Sequence, residues 1–142
     1  MRFLTVFIFL CTVQVLSAQT RFYKLYAGTG FDKGEDVLAL PDSTFVVAGS
    51  SGSWEENAQG FLMKIDQQGN YLWSQAYGAQ ETEEIKRVFH RPGIGYYLAG
   101  MSNSWSGGNY DPMLICTDLS GTQQWIKTYP HAGWERIHDG VM

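Results

Sequence analysis

Residues 64–73 read KIDQQGNYLW, and residues 116–125 read CTDLSGTQQW. Both segments contain the pattern Asp-x-x-Gly-x-x-x-Trp, and each fixed position of the first recurs 52 residues later in the second. A repeat of about fifty residues is typical of solenoids, propellers and other repeat arrays. The pattern therefore predicts an architecture of similar stacked units, in which a recurring residue serves packing.

Each unit contains four strand-like segments that are rich in β-branched, aromatic and aliphatic residues and are bounded by turn-forming residues. The first segment lies at 22–26, 73–77 and 125–129, the second at 35–40, 83–88 and 135–137, the third at 44–50 and 95–101, and the fourth at 60–65 and 112–117. The units differ in length only between these segments. This supports the strand assignments, because strand registers tolerate slips badly.

The third and fourth segments make more specific structural predictions. The third is an almost unbroken apolar run, which is typical of a strand covered on both faces. Its Ala-Gly ending, at Gly49 and Gly100, is suited to a β-bulge or a close backbone approach. After the fourth segment, the Asp of Asp-x-x-Gly is expected to bond nearby backbone amides, and the Gly to take positive φ.

These segments together predict an all-β fold, namely a partial β-propeller of four-stranded antiparallel blades with about two and a half blades. The repeats run over about 22–70, 71–121 and 122–142. A β-sandwich built from the same hairpins is the alternative, although it gives no reason for so faithful a repeat. Because propellers have about four to eight blades, we expect an N-terminal piece of a longer chain. A complete protein would leave blade edges open or assemble with copies of itself.

The first eighteen residues have the features of a secretory signal peptide. Arg2 provides a positive charge, residues 3–13 are almost entirely apolar, and Leu16-Ser17-Ala18 provides a cleavage site. The segment is too short to be a membrane span. We therefore expect a secreted or cell-surface protein whose mature domain covers 19–142, with no integral membrane segment after signal removal. Because residue 19 is Gln rather than Cys, we do not expect a lipid anchor.

Charge and cysteine usage narrow the function classes. The formal net charge of the chain is −4, and it becomes −5 when Arg2 leaves with the signal. A mildly acidic protein is a poor match for nucleic acid or anionic lipid, which both reward clustered Lys and Arg. Loss of Cys11 with the signal would leave Cys116 without an internal disulfide partner. Its apolar neighbours predict a buried structural thiol.

The repeated residues resemble a known class of proteins. Trp-x-x-x-Tyr-Gly, a following Glu, an Ala-Gly strand end and Lys-x-Asp-x-x-Gly-x-x-x-Trp together resemble the secreted propeller-like repeat proteins of Bacteroidetes. The resemblance covers residues 22–142 and implies export and shape rather than chemistry. Many such proteins carry a C-terminal sorting domain for type IX secretion, and none is present in these 142 residues. The family's Asp at the start of the fourth strand appears here as Asp111, but its counterpart in the first unit is Gln59.

Carboxylates are the first candidates for catalysis, because glycoside hydrolysis uses a pair of them. Glu83 is matched with Glu35 and Glu135 in the other units, which indicates a scaffold residue that caps a turn. Glu55 and Glu56 follow Trp54 in a Gly- and Ser-rich loop and are interpreted as a solvated loop tip. The remaining acids of this kind are Glu81, Glu84 and Asp111.

Two tryptophans recur in loops, namely Trp54 and Trp105. Packing between blades is the favoured interpretation, and the alternative is that exposed Trp residues stack on sugar rings or anchor a partner. The three histidines (His90, His131 and His138) have no metal-ligand spacing. The sequence contains no nucleophile elbow, phosphate loop, calcium loop or Cys-x-x-Cys pair. We therefore predict no catalytic, cofactor-binding or metal-binding residues.

The sequence thus favours a non-catalytic exported scaffold or binding propeller that presents its blade loops to a protein or glycan. The alternative is part of a propeller enzyme whose active site needs blades outside this chain. That enzyme would be quinoprotein-like or glycoside-cleaving, since Asp-x-x-Gly-x-x-x-Trp is also similar to the tryptophan-docking motif of quinoproteins and to the Asp-box of sialidases. In the case of a fragment, the missing blades would be partners in cis.

Overall fold

Eight β-strands form two four-stranded antiparallel sheets in the computed structural model, which describes residues 21–53, 58–105 and 109–130. The first sheet has the order β1-β2-β3-β4 and the second has the order β5-β6-β7-β8. The strands are β1 (Asp32–Ala39), β2 (Phe45–Ser51), β3 (Gln59–Ile65), β4 (Tyr71–Tyr77), β5 (Glu83–Arg91), β6 (Gly95–Ser102), β7 (Asp111–Thr117) and β8 (Gln123–Thr128). The predicted all-β class is confirmed for these residues.

Residues 22–26 are not a strand, so this part of the prediction was wrong. Their counterparts at 73–77 and 125–129 lie largely in β4 and β8, which pair with β3 and β7 of the preceding unit. Each sheet therefore combines the second, third and fourth segments of one unit with the first segment of the next. No described strand precedes residues 22–26 and could pair with them, and a ladder needs a partner. The third-unit segment at 135–137 lies outside the described residues.

Strand register corrects one equivalence between the units. Asp32 pairs with Ser51, and Glu83 pairs with Ser102 at the same place in the second sheet. Glu83 therefore corresponds to Asp32. The sequence comparison had matched it with Glu35, and this equivalence was wrong. The register of the first strand skips one residue in both sheets, between Gly34 and Asp36 and between Ile85 and Arg87. Because both first strands contain this β-bulge, Glu35 corresponds to Lys86, the extra residue of the other bulge.

The predicted close backbone approach at the Ala-Gly strand end is confirmed. A Cβ atom at Gly49 would lie 1.9 Å from the carbonyl oxygen of Lys33, and one at Gly100 would lie 2.0 Å from that of Glu84. The irregularity itself lies opposite these glycines, in β1 and β5. Only a residue without a side chain fits there.

The core lies between the two sheets. One face of the first sheet, which we call its front face, contributes Val46, Ala48 and Leu62, and all three are fully buried. They belong to one cluster with buried residues of the second sheet: Ile85, Val88, Tyr96, Leu98, Met113 and Ile115. Burial of a large apolar side chain contributes about 1.5–3 kcal/mol, so this interface is the main source of stability in the described part of the chain.

The two sheets contact each other through different faces. By strand register, Tyr96, Leu98, Met113 and Ile115 of the second sheet correspond to Phe45, Val47, Phe61 and Met63 of the first. This set defines the back face of each sheet. The front face of the first sheet thus packs on the back face of the second, in a head-to-tail arrangement. Two sheets of a sandwich related by a two-fold axis would instead contact each other through equivalent faces.

Polar contacts between the bulges and β5 reinforce this interface. Lys86 Nζ lies 2.6 Å from Glu35 Oε1, so the extra residues of the two bulges form an ion pair. Asp36 Oδ2 accepts a hydrogen bond of 2.9 Å from the backbone N–H of Val88. Both contacts fix the position of β1 relative to β5.

Candidate functional site

The connections between strands divide into two groups at opposite ends of the sheets. One group joins β2 to β3, β4 to β5 and β6 to β7. These connections lie at the end of the sheets that contains Ser51, Tyr77 and Ser102, which we call the loop end. The opposite end carries tight turns, at residues 40–44, 66–70, 92–94 and 118–122. Variable loops on a rigid scaffold are the usual location of binding residues, so the loop end is the candidate site.

Trp105 lies in the connection between β6 and β7, at the loop end, as the sequence predicted. Its exposed fraction is 43%. An indole this accessible has room to stack on a ligand. Trp54, together with Glu55 and Glu56, lies outside the described residues.

Glu83 lies beneath these loops and is fully buried. Its Oε1 accepts hydrogen bonds from the hydroxyls of Ser102, at 2.6 Å, and of Ser104. Its Oε2 accepts one of 3.0 Å from the backbone N–H of Ala79. The hydroxyl of Ser104 in turn accepts a hydrogen bond of 3.0 Å from the N–H of Glu81. Glu83 therefore holds the loop between β4 and β5, which agrees with its predicted role at a turn.

The first sheet contains the same arrangement around Asp32. Its carboxylate accepts hydrogen bonds from the hydroxyls of Ser51, at 2.5 Å, and Ser53, at 2.8 Å, and from the N–H of Gly28, at 2.8 Å. The N–H of Gly30 donates to the Ser53 hydroxyl at 3.0 Å. The hydrogen bonds to the carboxylate lower the pKa of Asp32 below its usual value, and the bond from Gly28 has the largest effect. The acid, two serines and loop amides thus recur as a unit, which sequence reasoning missed because its partners come from neighbouring strands.

Gln59 and Asp111 occupy equivalent buried positions, as the sequence predicted, since Gln59 pairs with Ser51 and Asp111 pairs with Ser102. Gln59 Nε2 donates to the carbonyl oxygens of Ala79, at 3.1 Å, and Glu81, at 3.4 Å. It therefore supports the same loop as Glu83. Asp111 and Glu83 lie in register on either side of Ser102.

Glu84 is an ion-pair residue of the β5 strand. Its Oε2 lies 2.5 Å from Lys86 Nζ, which also contacts Glu35. Partial burial raises the pKa of Glu35, but its hydrogen bonds to Lys33 and Lys86 outweigh burial and lower that pKa overall. The structure thus assigns Glu83 and Glu84 to different partners and does not bring them together as a catalytic pair.

The Asp-x-x-Gly motifs form the turns at the opposite end. Asp66 Oδ1 accepts hydrogen bonds from the N–H groups of Gln68, at 2.8 Å, and Asn70, at 2.7 Å. Asp118 bonds the N–H groups of its own turn in the same way, at 2.8 and 2.9 Å. Gly69 and Gly121 have φ of 74° and 82°. Both predicted roles are confirmed, and in this chain the motif stabilises a turn.

His90 and Cys116 have structural surroundings. The His90 ring lies 5.6 Å from the ring of Tyr96, centroid to centroid. Cys116 is buried, as predicted. His131 and His138 lie outside the described residues. Within the described ranges, no group of three or more His, Cys, Asp or Glu side chains could hold a metal ion.

The back face of the first sheet borders a cavity of about 280 Å³. Phe61, Met63 and Tyr71 line it from the sheet side, and residues 26–28 line it from the other side. Asp32 and its two serines, Ser51 and Ser53, also line the cavity. On the second sheet, the corresponding face is covered by the first sheet.

Comparison with known proteins finds no protein-family model that matches this chain and no curated protein that matches it. No helix in the described ranges is long and apolar enough to cross a membrane.

Proposed function

We propose that this chain is a non-catalytic exported repeat protein of the β-propeller type that acts as a scaffold or binding module for a protein or glycan. The observation that carries the proposal is the duplicated support beneath the loops. In each sheet an acid, Asp32 or Glu83, is bonded to two serines and to a loop amide. A carboxylate that is hydrogen-bonded in this way holds a loop in place.

The head-to-tail contact of the sheets supports the propeller part of the proposal. A heterologous contact of this kind generates a ring when its rotation closes, and a propeller is a ring of such sheets. The resemblance to exported Bacteroidetes repeat proteins and the signal-like residues 1–18 support export.

In this proposal the ligand contacts the loop end, and Trp105 is a central contact. Tryptophan is over-represented among the residues that dominate binding energy, because it buries a large rigid surface.

Binding of the exported chain to a glycan array, and capture of protein ligands, test this proposal. We expect Trp105→Ala to weaken binding by about tenfold or more, which is the range of an interface hot spot. The matched control is Ile94→Ala, because Ile94 is similarly exposed, at 47%, but lies in a tight turn at the opposite end. Equal loss in both variants, no effect of Trp105→Ala on a ligand that does bind, or turnover of a bound glycan would contradict the proposal.

A further inference from the structure

The back face of the first sheet lacks the cover that its counterpart has. In the second sheet, Tyr96, Leu98 and Ile115 are at most 1% exposed, because the front face of the first sheet packs on them. Their counterparts Phe45, Val47 and Met63 are only half-buried, and no described strand lies over them. The first sheet therefore has a face built for packing that the described chain does not cover with a sheet.

The front face of the second sheet is the complementary surface. Its residues Tyr97, Ala99 and Leu114 correspond in register to Val46, Ala48 and Leu62, which form the front face of the first sheet. The three residues of the first sheet are fully buried against the second sheet. Tyr97 and Leu114 are half-buried, and the small side chain of Ala99 between them is buried. Among the described residues, one chain thus presents both halves of an interface that it already forms internally.

We propose that the front face of the second sheet of one copy docks on the back face of the first sheet of another copy, which repeats the internal sheet-to-sheet contact between molecules. The proposal rests on the head-to-tail stacking invoked for the proposed function, but not on ligand binding at the loop end. The contact is heterologous, because it joins two different surfaces. Such a contact closes into a ring or continues as an open assembly, according to its rotation.

Residues 22–26 occupy part of the position that a docking copy would take. In the internal contact, Trp73 packs over Gly121, where a Cβ atom would lie 2.7 Å from the Trp73 ring, and the Tyr77 hydroxyl donates to the Gly121 carbonyl at 2.6 Å. At the first sheet, Phe22 takes the same position over Gly69, where a Cβ atom would lie 2.5 Å from the Phe22 ring.

The likeness extends to the hydroxyl contact, since Tyr26 donates to the Gly69 carbonyl at 2.5 Å. The corresponding residues of the second sheet are Trp125 and Tyr129, which are 36% and 55% exposed. When a second copy docks, its Trp125 and Tyr129 need the positions that Phe22 and Tyr26 hold. The N-terminal segment therefore competes with the second copy, and its removal from Gly69 strengthens association.

Sedimentation velocity of the exported chain measures its mean mass as a function of concentration. A range from about 1 μM to about 300 μM includes the dissociation constants of weak protein interfaces. We expect the mean mass to rise with concentration. Met63→Lys on the back face and Leu114→Lys on the front face each reduce association, because each introduces a charge into an apolar contact. Ile94→Lys, in a tight turn away from both faces, leaves association unchanged. Phe22→Ala increases association.

Mixing the two interface variants provides the decisive comparison. Met63→Lys retains a normal front face and Leu114→Lys retains a normal back face, so the mixture restores one intact contact and associates more strongly than either variant alone. This restoration also shows that both variants are folded. A wild-type chain that remains monomeric over the whole range, or variants that fail to complement each other, would overturn the inference. Ligand binding by a strictly monomeric chain would leave the proposed function standing.

Discussion

Two buried tyrosines at the interface differ in how their hydroxyls are satisfied. Tyr77 donates to the carbonyl of Gly121 at 2.6 Å. The Tyr96 hydroxyl is buried and has no hydrogen-bond partner among the described residues. Burial raises the pKa of both phenols, so each remains neutral over the physiological range. The position that corresponds to Tyr96 in the first sheet is Phe45, so the repeat accommodates a ring without a hydroxyl there.

Substitution of each tyrosine by phenylalanine is expected to have opposite effects. Tyr96→Phe removes a buried hydroxyl that lacks a partner and should raise the free energy of unfolding by about 1 kcal/mol. Tyr77→Phe removes a donor from a buried carbonyl and should lower it by about 1–2 kcal/mol. Urea unfolding of both variants measures the two changes. A clear loss of stability in Tyr96→Phe would contradict this account of the interface.

The predictability of single residues depended on whether their partners are local. The roles of Asp66 and Gly69 follow from the sequence, because an Asp-x-x-Gly turn closes within a few residues. The partners of Glu83 do not, because Ser102 and Ser104 belong to another strand and its end. The acids themselves misled the alignment of the units, because Glu35 corresponds by strand register to Lys86 and not to Glu83.

At the scale of elements, turns and strands were predicted with different success. The third and fourth segments of each unit became strands, since their apolar runs are long and their neighbours in sequence are their partners in the sheet. Residues 22–26 share with 73–77 and 125–129 a large aromatic residue and a Tyr four positions apart, but they have no partner strand among the described residues, and Tyr23 is 95% exposed. An isolated strand has no ladder hydrogen bonds to stabilise it, which local composition does not reveal.

Substitutions at two turn glycines with positive φ distinguish the cost of backbone strain from the cost of a steric clash. Gly93 has φ of 75° and a Cβ atom there would meet no atom within 4 Å, so Gly93→Ala should cost about 1 kcal/mol from the backbone alone. Gly121 has φ of 82° and a Cβ atom there would lie 2.7 Å from the Trp73 ring. Gly121→Ala should therefore cost about 2–4 kcal/mol. Equal losses in chemical unfolding would show that Trp73 does not pack on this turn.

At the scale of the whole molecule, the repeat predicted similar stacked sheets, and the structure shows which faces of the two sheets contact each other. The sequence could not show which faces meet, because the two faces of each sheet are both apolar in the central strands. The head-to-tail relation emerges only from register, through the correspondence of Leu62 with Leu114 and of Met63 with Ile115. Leu62 and Ile115 are fully buried at the shared interface, whereas Met63 and Leu114 are half-buried on the outer faces.

Nuclear Overhauser contacts in solution test the head-to-tail stacking of the two sheets most directly. The account predicts contacts from Gly60 to the Ile85 methyl groups and from Gly121 to the Trp73 ring, together with methyl contacts between Leu62 and the back face of the second sheet. Contacts between Leu62 and its own counterpart Leu114 would show that equivalent faces meet, as in a sandwich, and would contradict the account.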